Sequence, residues 1–362
     1  MKRLKNIVKA IFAILIIIIV VALVYVAYVF ISYDRIDDKQ KLKVNEPKVK
    51  NENVSDEVNT GVVYTIGTYN VGFGAYLPDY SFFMDGGKYS RCYSKESSAK
   101  AIRGALSSGY NPDFMMFEEV DRKSTRSYGV NQENIITDIF DDYYSSFAVN
   151  YNSAYLFYPF YKPIGKSYSG IVLYSKFKIT DSLRRSLPIS TGFSKFLDLD
   201  RCYSISRINV ENGKELVLFT VHLSAYGNSD EIREAQLNML FKDMEKEVED
   251  GNYVICGGDF NHDLKADEAK SDETESWAYP FPRSEMPQGV TFAMDKLSQD
   301  ELEQMPESAR NADMEYIPGK TYVVTLDGFI ISDNVEMTSY EVADTGFAYS
   351  DHQPVIMKFM LK

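Results

Sequence analysis

Tyr253-Val254-Ile255-Cys256-Gly257-Gly258-Asp259-Phe260-Asn261-His262-Asp263 is the stretch whose reading decides the fold. Tyr253 to Cys256 has the length and content of a buried strand. Gly257 and Gly258 leave room for close backbone approach. Asp259 and Asn261 follow at a spacing of two, so an extended chain projects a carboxylate and an amide to one face and turns Phe260 to the other. A carboxylate there orients a nucleophile, and an amide donates hydrogen bonds to a charged oxygen. Taken alone, the segment also fits an ordinary strand end, so the rest of the chain has to decide.

The chain has 362 residues, 45% hydrophobic and 25% charged, enough for one large α/β domain. Its net charge of -13 argues against a generic electrostatic grip on polyanions. Three scattered cysteines, Cys92, Cys202 and Cys256, make neither a disulfide framework nor a zinc site.

At the N-terminus Ala10 to Ile31 pass without a charge, long enough to span a bilayer as a helix. Lys2, Arg3, Lys5 and Lys9 precede the run, which puts residues 1–9 in the cytoplasm and the remainder outside. Tyr25, Tyr28, Phe30 and Tyr33 leave no small-x-small cleavage site, which favours an uncleaved signal-anchor over a removed signal peptide. The expected location is therefore the cell membrane, single-pass, with the domain extracytoplasmic. So few cysteines in an exported domain suit a bacterial surface. The polar residues 32–61 are expected to be a flexible tether, and 62–362 the folded domain.

Within the domain, strands are expected at Val62–Val71, Phe114–Phe117, Ser169–Ile179, Arg201–Val210, Glu215–Leu223, Tyr322–Ser332 and Pro354–Met360. Asn212-Gly213 is a hairpin turn. Helices are expected around Glu96–Ser107, Glu133–Phe140 and the residues leading to Asp250. Aromatics crowd Tyr143–Tyr161, where packing competes with base stacking or a lipid-facing role. From Leu264 to about Lys320 the chain reads as an irregular surface excursion.

Asn70, Glu119, His222, Asp259, Asn261, Asp327, Asp351 and His352 all fall at or beside ends of expected strands. Oxygen ligands without a thiolate or histidine cluster suit Mg²⁺, Mn²⁺ or Ca²⁺. A histidine beside a carboxylate is a natural general base. Phosphate-ester hydrolysis needs a cation, a base for water and donors for developing charge.

Seven pieces, in this order, resemble the endonuclease/exonuclease/phosphatase superfamily with its DNase I-like fold. They are Thr68-Tyr69-Asn70-Val71, Glu118-Glu119-Val120-Asp121, Ser169–Lys176, Val221-His222-Leu223, Gly257-Gly258-Asp259-Phe260-Asn261, Leu326-Asp327-Gly328 and Ser350-Asp351-His352-Gln353-Pro354. The resemblance covers Val62 to Leu361. It implies a four-layer α/β sandwich, two packed mixed β-sheets flanked by helices. Glu119 would hold the cation, with Asn70 near metal and phosphate and Asp351 at the metal end. His352 would be the base, oriented by Asp327. Asp259 would position the nucleophile, and Asn261 and His222 would stabilise phosphoryl oxygens. Glu118 departs from the usual Gln at its position. The implied activity is divalent-metal-dependent hydrolysis of phosphodiesters, with nucleic acid slightly ahead of a phospholipid headgroup. The alternatives are a sphingomyelinase-like phosphodiesterase, a phosphoinositide or phosphomonoester phosphatase, and a surface binding module without catalysis. A monomer is expected.

Overall fold

Alternation along the strands builds two sheets with one shared interior. The computed structural model describes residues 1–33, 35–50, 55–107, 110–196, 199–225, 230–266 and 278–362. The strands in chain order are β1 (Gln40–Lys41), β2 (Val44–Asn45), β3 (Val63–Asn70), β4 (Phe114–Asp121), β5 (Tyr144–Asn152), β6 (Tyr168–Ser175), β7 (Ile179–Ser186) and β8 (Cys202–Asn209). They continue with β9 (Glu215–His222), β10 (Tyr253–Asp259), β11 (Val290–Phe292), β12 (Ala309–Arg310), β13 (Val323–Val324), β14 (Asp327–Ser332), β15 (Val335–Val342) and β16 (Val355–Leu361). One sheet has the order β1-β7-β8-β9-β10-β14-β11 and the other β15-β16-β3-β4-β6-β5-β2; β12 and β13 form a separate pair. Only β3–β4 and β9–β10 run parallel among these pairs, so both large sheets are mixed.

Odd and even positions divide the labour. Ile66, Phe114, Met116 and Leu173 from one sheet meet Leu216, Leu218, Ile255, Phe329 and Ile331 from the other in the central core. The opposite faces are covered by helices. Helices α2 (Lys95–Ala105) and α3 (Gln132–Ile139) bury Ile102, Ala105, Ile135 and Ile136 against Tyr69, Phe117 and Val172. Helix α4 (Asp230–Glu249) buries Leu237, Leu240 and Met244 against Val217, Phe219, Val254 and Cys256. Helix, sheet, sheet, helix is the expected four-layer sandwich.

Several expectations need correction. The uncharged run does form, as expected, an apolar helix long enough to cross a membrane, and only its bounds change, to α1 (Lys2–Ser32). The following segment, expected to be a flexible tether, is docked over its described residues: β1 adds to β7 at one sheet's edge, and β2 to β5 at the other's. Its polar composition misled because edge strands need only backbone pairing, not apolar side chains. Arg184, fully buried, holds it, donating through Nε to Val149 O at 2.8 Å, through Nη1 to the Ile36 and Asp37 carbonyls at 3.4 Å and through Nη2 to Asp200 O at 2.8 Å. The excursion after Leu264 likewise supplies the edge strand β11, a short helix, α5 (Gln299–Gln304), and β12, which pairs with β13 just beyond it; its residues 267–277 lie outside the described ones. Strands β7 and β15 carry too many polar residues to be read as strands from the sequence.

Arg184→Ala strips these acceptors of their donor, and each buried group left unpaired costs about 1–3 kcal/mol. Hydrogen exchange should therefore show residues 36–45 losing protection in the variant while β9 and β10 stay protected. Unchanged protection would mean that Arg184 does not clamp the segment.

Candidate active site

The site lies where the interior changes character. Along the inward faces, Ile66 is followed by Thr68 and Asn70, Phe114 and Met116 by Glu118, Leu216 and Leu218 by Thr220 and His222, and Ile255 and Gly257 by Asp259. In β14 the series Ile331, Phe329, Asp327 runs the same way in space, because β14 is antiparallel to β10 with Asp259 opposite Asp327. Asp259 also stands opposite His222, and Asn70 opposite Glu118. The polar ends of five strands thus meet at one level.

Strand β10 ends at Asp259, so the extended spacing expected for Asp259 and Asn261 does not hold. Asn261 has φ 52°, and its N–H donates to Asp259 Oδ1 at 2.8 Å in an Asx-type turn. One hydrogen of its amide goes to Leu223 O at 2.9 Å. Phe260 turns away as expected and packs edge-on to Phe281 and Phe292. Gly258, at φ 142°, has no room for a side chain, since a Cβ would sit 2.0 Å from Val221 O.

A bulge in β4 separates the two glutamates. The register against β6 shifts between Phe117 and Val120, and Glu119 takes φ 56°. Glu118 points inward, wholly buried, with Oε1 accepting from Thr68 Oγ1 at 3.1 Å and Oε2 unpaired. Glu119 stays half-buried. Asn70 ties the carboxylates together: its Nδ2 donates to Asp259 Oδ2 at 3.1 Å and reaches Glu119 Oε1 at 3.5 Å, while its Oδ1 accepts from Gly72 N. Ser350 Oγ donates to Asn70 O at 2.8 Å and fixes the turn that carries Asp351 and His352.

His352 Nδ1 bonds Asp327 Oδ2 at 2.8 Å, and its Nε2 lies 3.8 Å from Asp259 Oδ2. His222 Nε2 approaches the same oxygen at 3.6 Å. All eight residues singled out from the sequence therefore share this end of the sandwich. The third histidine, His262, follows Asn261 but is engaged otherwise: its Nδ1 meets Phe260 O and its ring packs on Phe281.

The two site histidines are driven apart electrostatically. Burial disfavours charge on both. For His222 the nearby Arg201 adds to that, and the imidazole is held well below its ordinary value, hence neutral. For His352 the Asp327 and Asp259 carboxylates override burial and hold it well above. Burial also raises Glu118, Glu119, Asp259 and Asp351. Carboxylates crowded this way favour a cation or a proton.

The model of the endonuclease/exonuclease/phosphatase family matches residues 67–314. The chain belongs to that family. Membership makes it a hydrolase of phosphoric esters, and the matched span contains every site residue before Asp327. A search of curated proteins by sequence finds no match. Among solved structures, the fold resembles an endonuclease/exonuclease/phosphatase protein from Beutenbergia cavernae, 15% identical, covering 83% of this chain and 72% of that one with a TM-score of 0.56. The human Nocturnin catalytic domain with bound sulfate is 16% identical over 83% and 94%, TM-score 0.52. ANGEL2, a 2′,3′-cyclic phosphatase in complex with adenosine-2′,3′-vanadate, is 12% identical over 89% and 99%, TM-score 0.53. At these identities the likeness is one of fold.

The donor chemistry fits a hard divalent cation, the cofactor general in this family. Asp259, Asp327 and His352 bring ligand atoms within 4.8 Å of one another. With His352 Nδ1 committed to Asp327, however, that trio is better suited to proton transfer. Glu119 and Asp351 are both half-buried, and Asp351 raises the cost of ionising Glu119, so the two are the oxygen-only candidates for a cation.

Sequence reasoning missed two residues. Ser308 donates to Asp327 Oδ2 at 2.7 Å and accepts from the backbone of Leu326 and Asp327, locking the carboxylate that orients His352. Its position in a polar, irregular stretch gave no signal. Arg201 is buried with Nε and Nη1 unpaired, and its charge acts on both His222 and Glu119. An unpaired buried guanidinium at a strand's start was a signal available only once burial was known.

Glu119→Gln should abolish Mg²⁺ or Mn²⁺ binding in titration calorimetry, whereas Glu118→Gln should retain it, because Glu118 faces the interior. The reverse result would mean that the bulge is misassigned. His352→Ala should lower kcat by about 10²–10⁴-fold, the usual cost of losing a general base. Asp327→Asn acts through the same ring, so adding it to His352→Ala should cost little more. Multiplying effects in the double variant would show two independent groups.

Proposed function

We propose that this chain is a membrane-anchored, extracytoplasmic phosphodiesterase that activates water with His352. The Asp327–His352 pair, set at 2.8 Å beside Asp259, carries this reading. His352 in its neutral form takes the proton from water positioned by Asp259 as the water oxygen bonds to phosphorus. The ester P–O bond breaks and the leaving alkoxide takes up a proton, while Asp327, itself held by Ser308, keeps the ring in place. Neutral His222 and the free amide hydrogen of Asn261 donate to the phosphoryl oxygens. Glu119 and Asp351, with Asn70 bridging to Asp259, hold a divalent cation, Mg²⁺ or its relatives Mn²⁺ and Ca²⁺, which when bound supplies positive charge to those oxygens. The unpaired donors of Arg201 are a second source of positive charge for the substrate.

The charge balance supports diesters. Five carboxylates, Glu118, Glu119, Asp259, Asp327 and Asp351, crowd this end of the sandwich, and a monoanionic diester meets less repulsion there than a dianionic monoester. A nucleotide-type diester is the first reading, in keeping with the adenosine-based ligand bound by the structurally similar ANGEL2. A phospholipid headgroup diester is the second, favoured by the helix α1 and by exposed aromatics beside it. Lys2, Arg3, Lys5 and Lys9 before the apolar run support a cytoplasmic N-terminus and an uncleaved anchor.

The purified full chain, assayed on bis(p-nitrophenyl) phosphate, p-nitrophenyl phosphate, single-stranded DNA and phospholipid vesicles, should hydrolyse the diester faster than the monoester. Excess chelator should abolish turnover. Preference for the monoester would overturn the diester reading, and full activity in chelator would overturn the metal.

A further inference from the structure

The aromatic stretch divides in two. Tyr143, Tyr144, Phe147 and Tyr151 are buried in or beside β5, as packing requires. Beyond the strand, Phe157 is 49% exposed, Tyr158 64%, Phe160 84% and Tyr161 77%. Four large aromatic side chains exposed within five residues form the one dense apolar patch outside α1 among the described residues; other exposed apolar residues are scattered. Such a patch marks an interaction surface. Phe83 packs on Tyr158 and brings the exposed Met84 alongside. Tyr161 donates to Lys88 O, which sets a lysine at the rim.

The end of α1 is seated on this same loop. Tyr25 Oη donates to Tyr155 O at 3.1 Å, Tyr155 N–H donates to Tyr28 Oη at 3.1 Å, and the Tyr25 ring meets Phe157 edge-on at 5.2 Å. Val29 is buried with Ala154 and Phe196. Tyr25 precedes the end of the helix by seven residues, about 10 Å at 1.5 Å per residue. The whole helix is about 46 Å long, against a hydrocarbon core of about 30 Å. Residues 2–9, which carry the charges, take up about 12 Å of that excess on the inner side, so a core of about 30 Å that starts at Ala10 ends near Val29. The loop seated on Tyr25 to Val29 therefore stands at the outer boundary of the core, where it meets the headgroups. Tyr and Trp side chains are favoured at that level, where an apolar ring and a polar tip are both satisfied.

We propose that residues 157–161 are a membrane-docking loop that enters the outer bilayer interface beside α1 and holds the catalytic cleft against the lipid surface. The loop joins β5 to β6 at the site's end of the sheet, since Ser169 at the start of β6 pairs with Asp121 at the end of β4, just past Glu118 and Glu119. This rests on the anchor reading above and deepens it: the substrate is presented at the membrane surface.

Site-directed fluorescence tests it. Cys92, Cys202 and Cys256 are all buried, so one introduced thiol labels selectively. The full chain, reconstituted in phosphatidylcholine–phosphatidylglycerol vesicles, carries a polarity-sensitive dye at Phe160→Cys, at Ile18→Cys within α1, or at Lys178→Cys, exposed at the far end of the sandwich. The dye at Phe160→Cys should be quenched by lipid-borne spin label and be several-fold less sensitive to aqueous iodide than the dye at Lys178→Cys. Iodide sensitivity equal to that at Lys178→Cys, with Ile18→Cys still lipid-quenched, overturns docking and leaves the anchor standing. Loss of lipid quenching at Ile18→Cys overturns both. Turnover of bis(p-nitrophenyl) phosphate by labelled Phe160→Cys confirms that the protein measured is folded.

Discussion

The hydrogen bond from Asn70 Nδ2 to Asp259 Oδ2 joins the two sheets at the catalytic level, and the rest of the site depends on it. Asn70 ends β3 in one sheet and Asp259 ends β10 in the other. Neither sheet alone holds a complete set: Glu119, Asp351 and His352 belong with the first, His222 and Asp327 with the second. The bond is possible because Gly257 and Gly258 let the neighbouring strands and Phe329 approach closely. A side chain at Gly258 would meet Val221 O and push β10 from β9, carrying Asp259 away from both histidines. Packing in the core therefore sets catalytic geometry through the sheet-to-sheet distance.

The same seam explains the electrostatics. An apolar interior that runs without a gap into a polar cluster surrounds its carboxylates with low dielectric on one side and with each other on the opposite side. Burial raises their affinity for protons, and each neighbour raises it further. His352 takes part of that field and becomes a stronger base; His222, a few ångströms off but beside Arg201, is held neutral. The field thereby suits one histidine to the proton transfer proposed for it and the other to donating a hydrogen bond. A divalent cation held by the proposed pair, Glu119 and Asp351, would relieve the same repulsion.

Much of this was legible in the sequence, for a physical reason. Inward-facing apolar residues that give way to Asn70, His222, Asp259 or Asp327 form a pattern of period two, and five strands carry it. The bulge at Glu118-Glu119 was not legible, because two adjacent carboxylates give no sign of which one a backbone irregularity will turn outward. Ser308 was hidden for a different reason: its partner Asp327 is 19 residues away, and a serine in a polar stretch has no pattern. The residues from Arg35 to Asn45 misled because strands at a sheet's edge are held by main-chain bonds and by Arg184, which lies more than 130 residues further on. Local composition carries no trace of such a partner.

That segment also changes how the domain relates to its helix. A flexible tether would let the cleft sample all orientations within its reach. Instead the chain leaves α1 at Ser32 and, from Arg35, is bonded to the domain: Arg35 Nη2 donates to Leu187 O at 2.6 Å and Ile36 N–H to Asp200 Oδ2 at 2.7 Å. Strand β1 then closes one sheet and β2 the other, so a single short segment pins the same side of both layers. Helix and sandwich are further joined by Tyr25, Tyr28 and Val29. Two attachments separated along the chain fix an orientation where one would leave a hinge. The rigidity that aligns Asn70 with Asp259 across the seam thus extends, through the edge strands, to the helix itself.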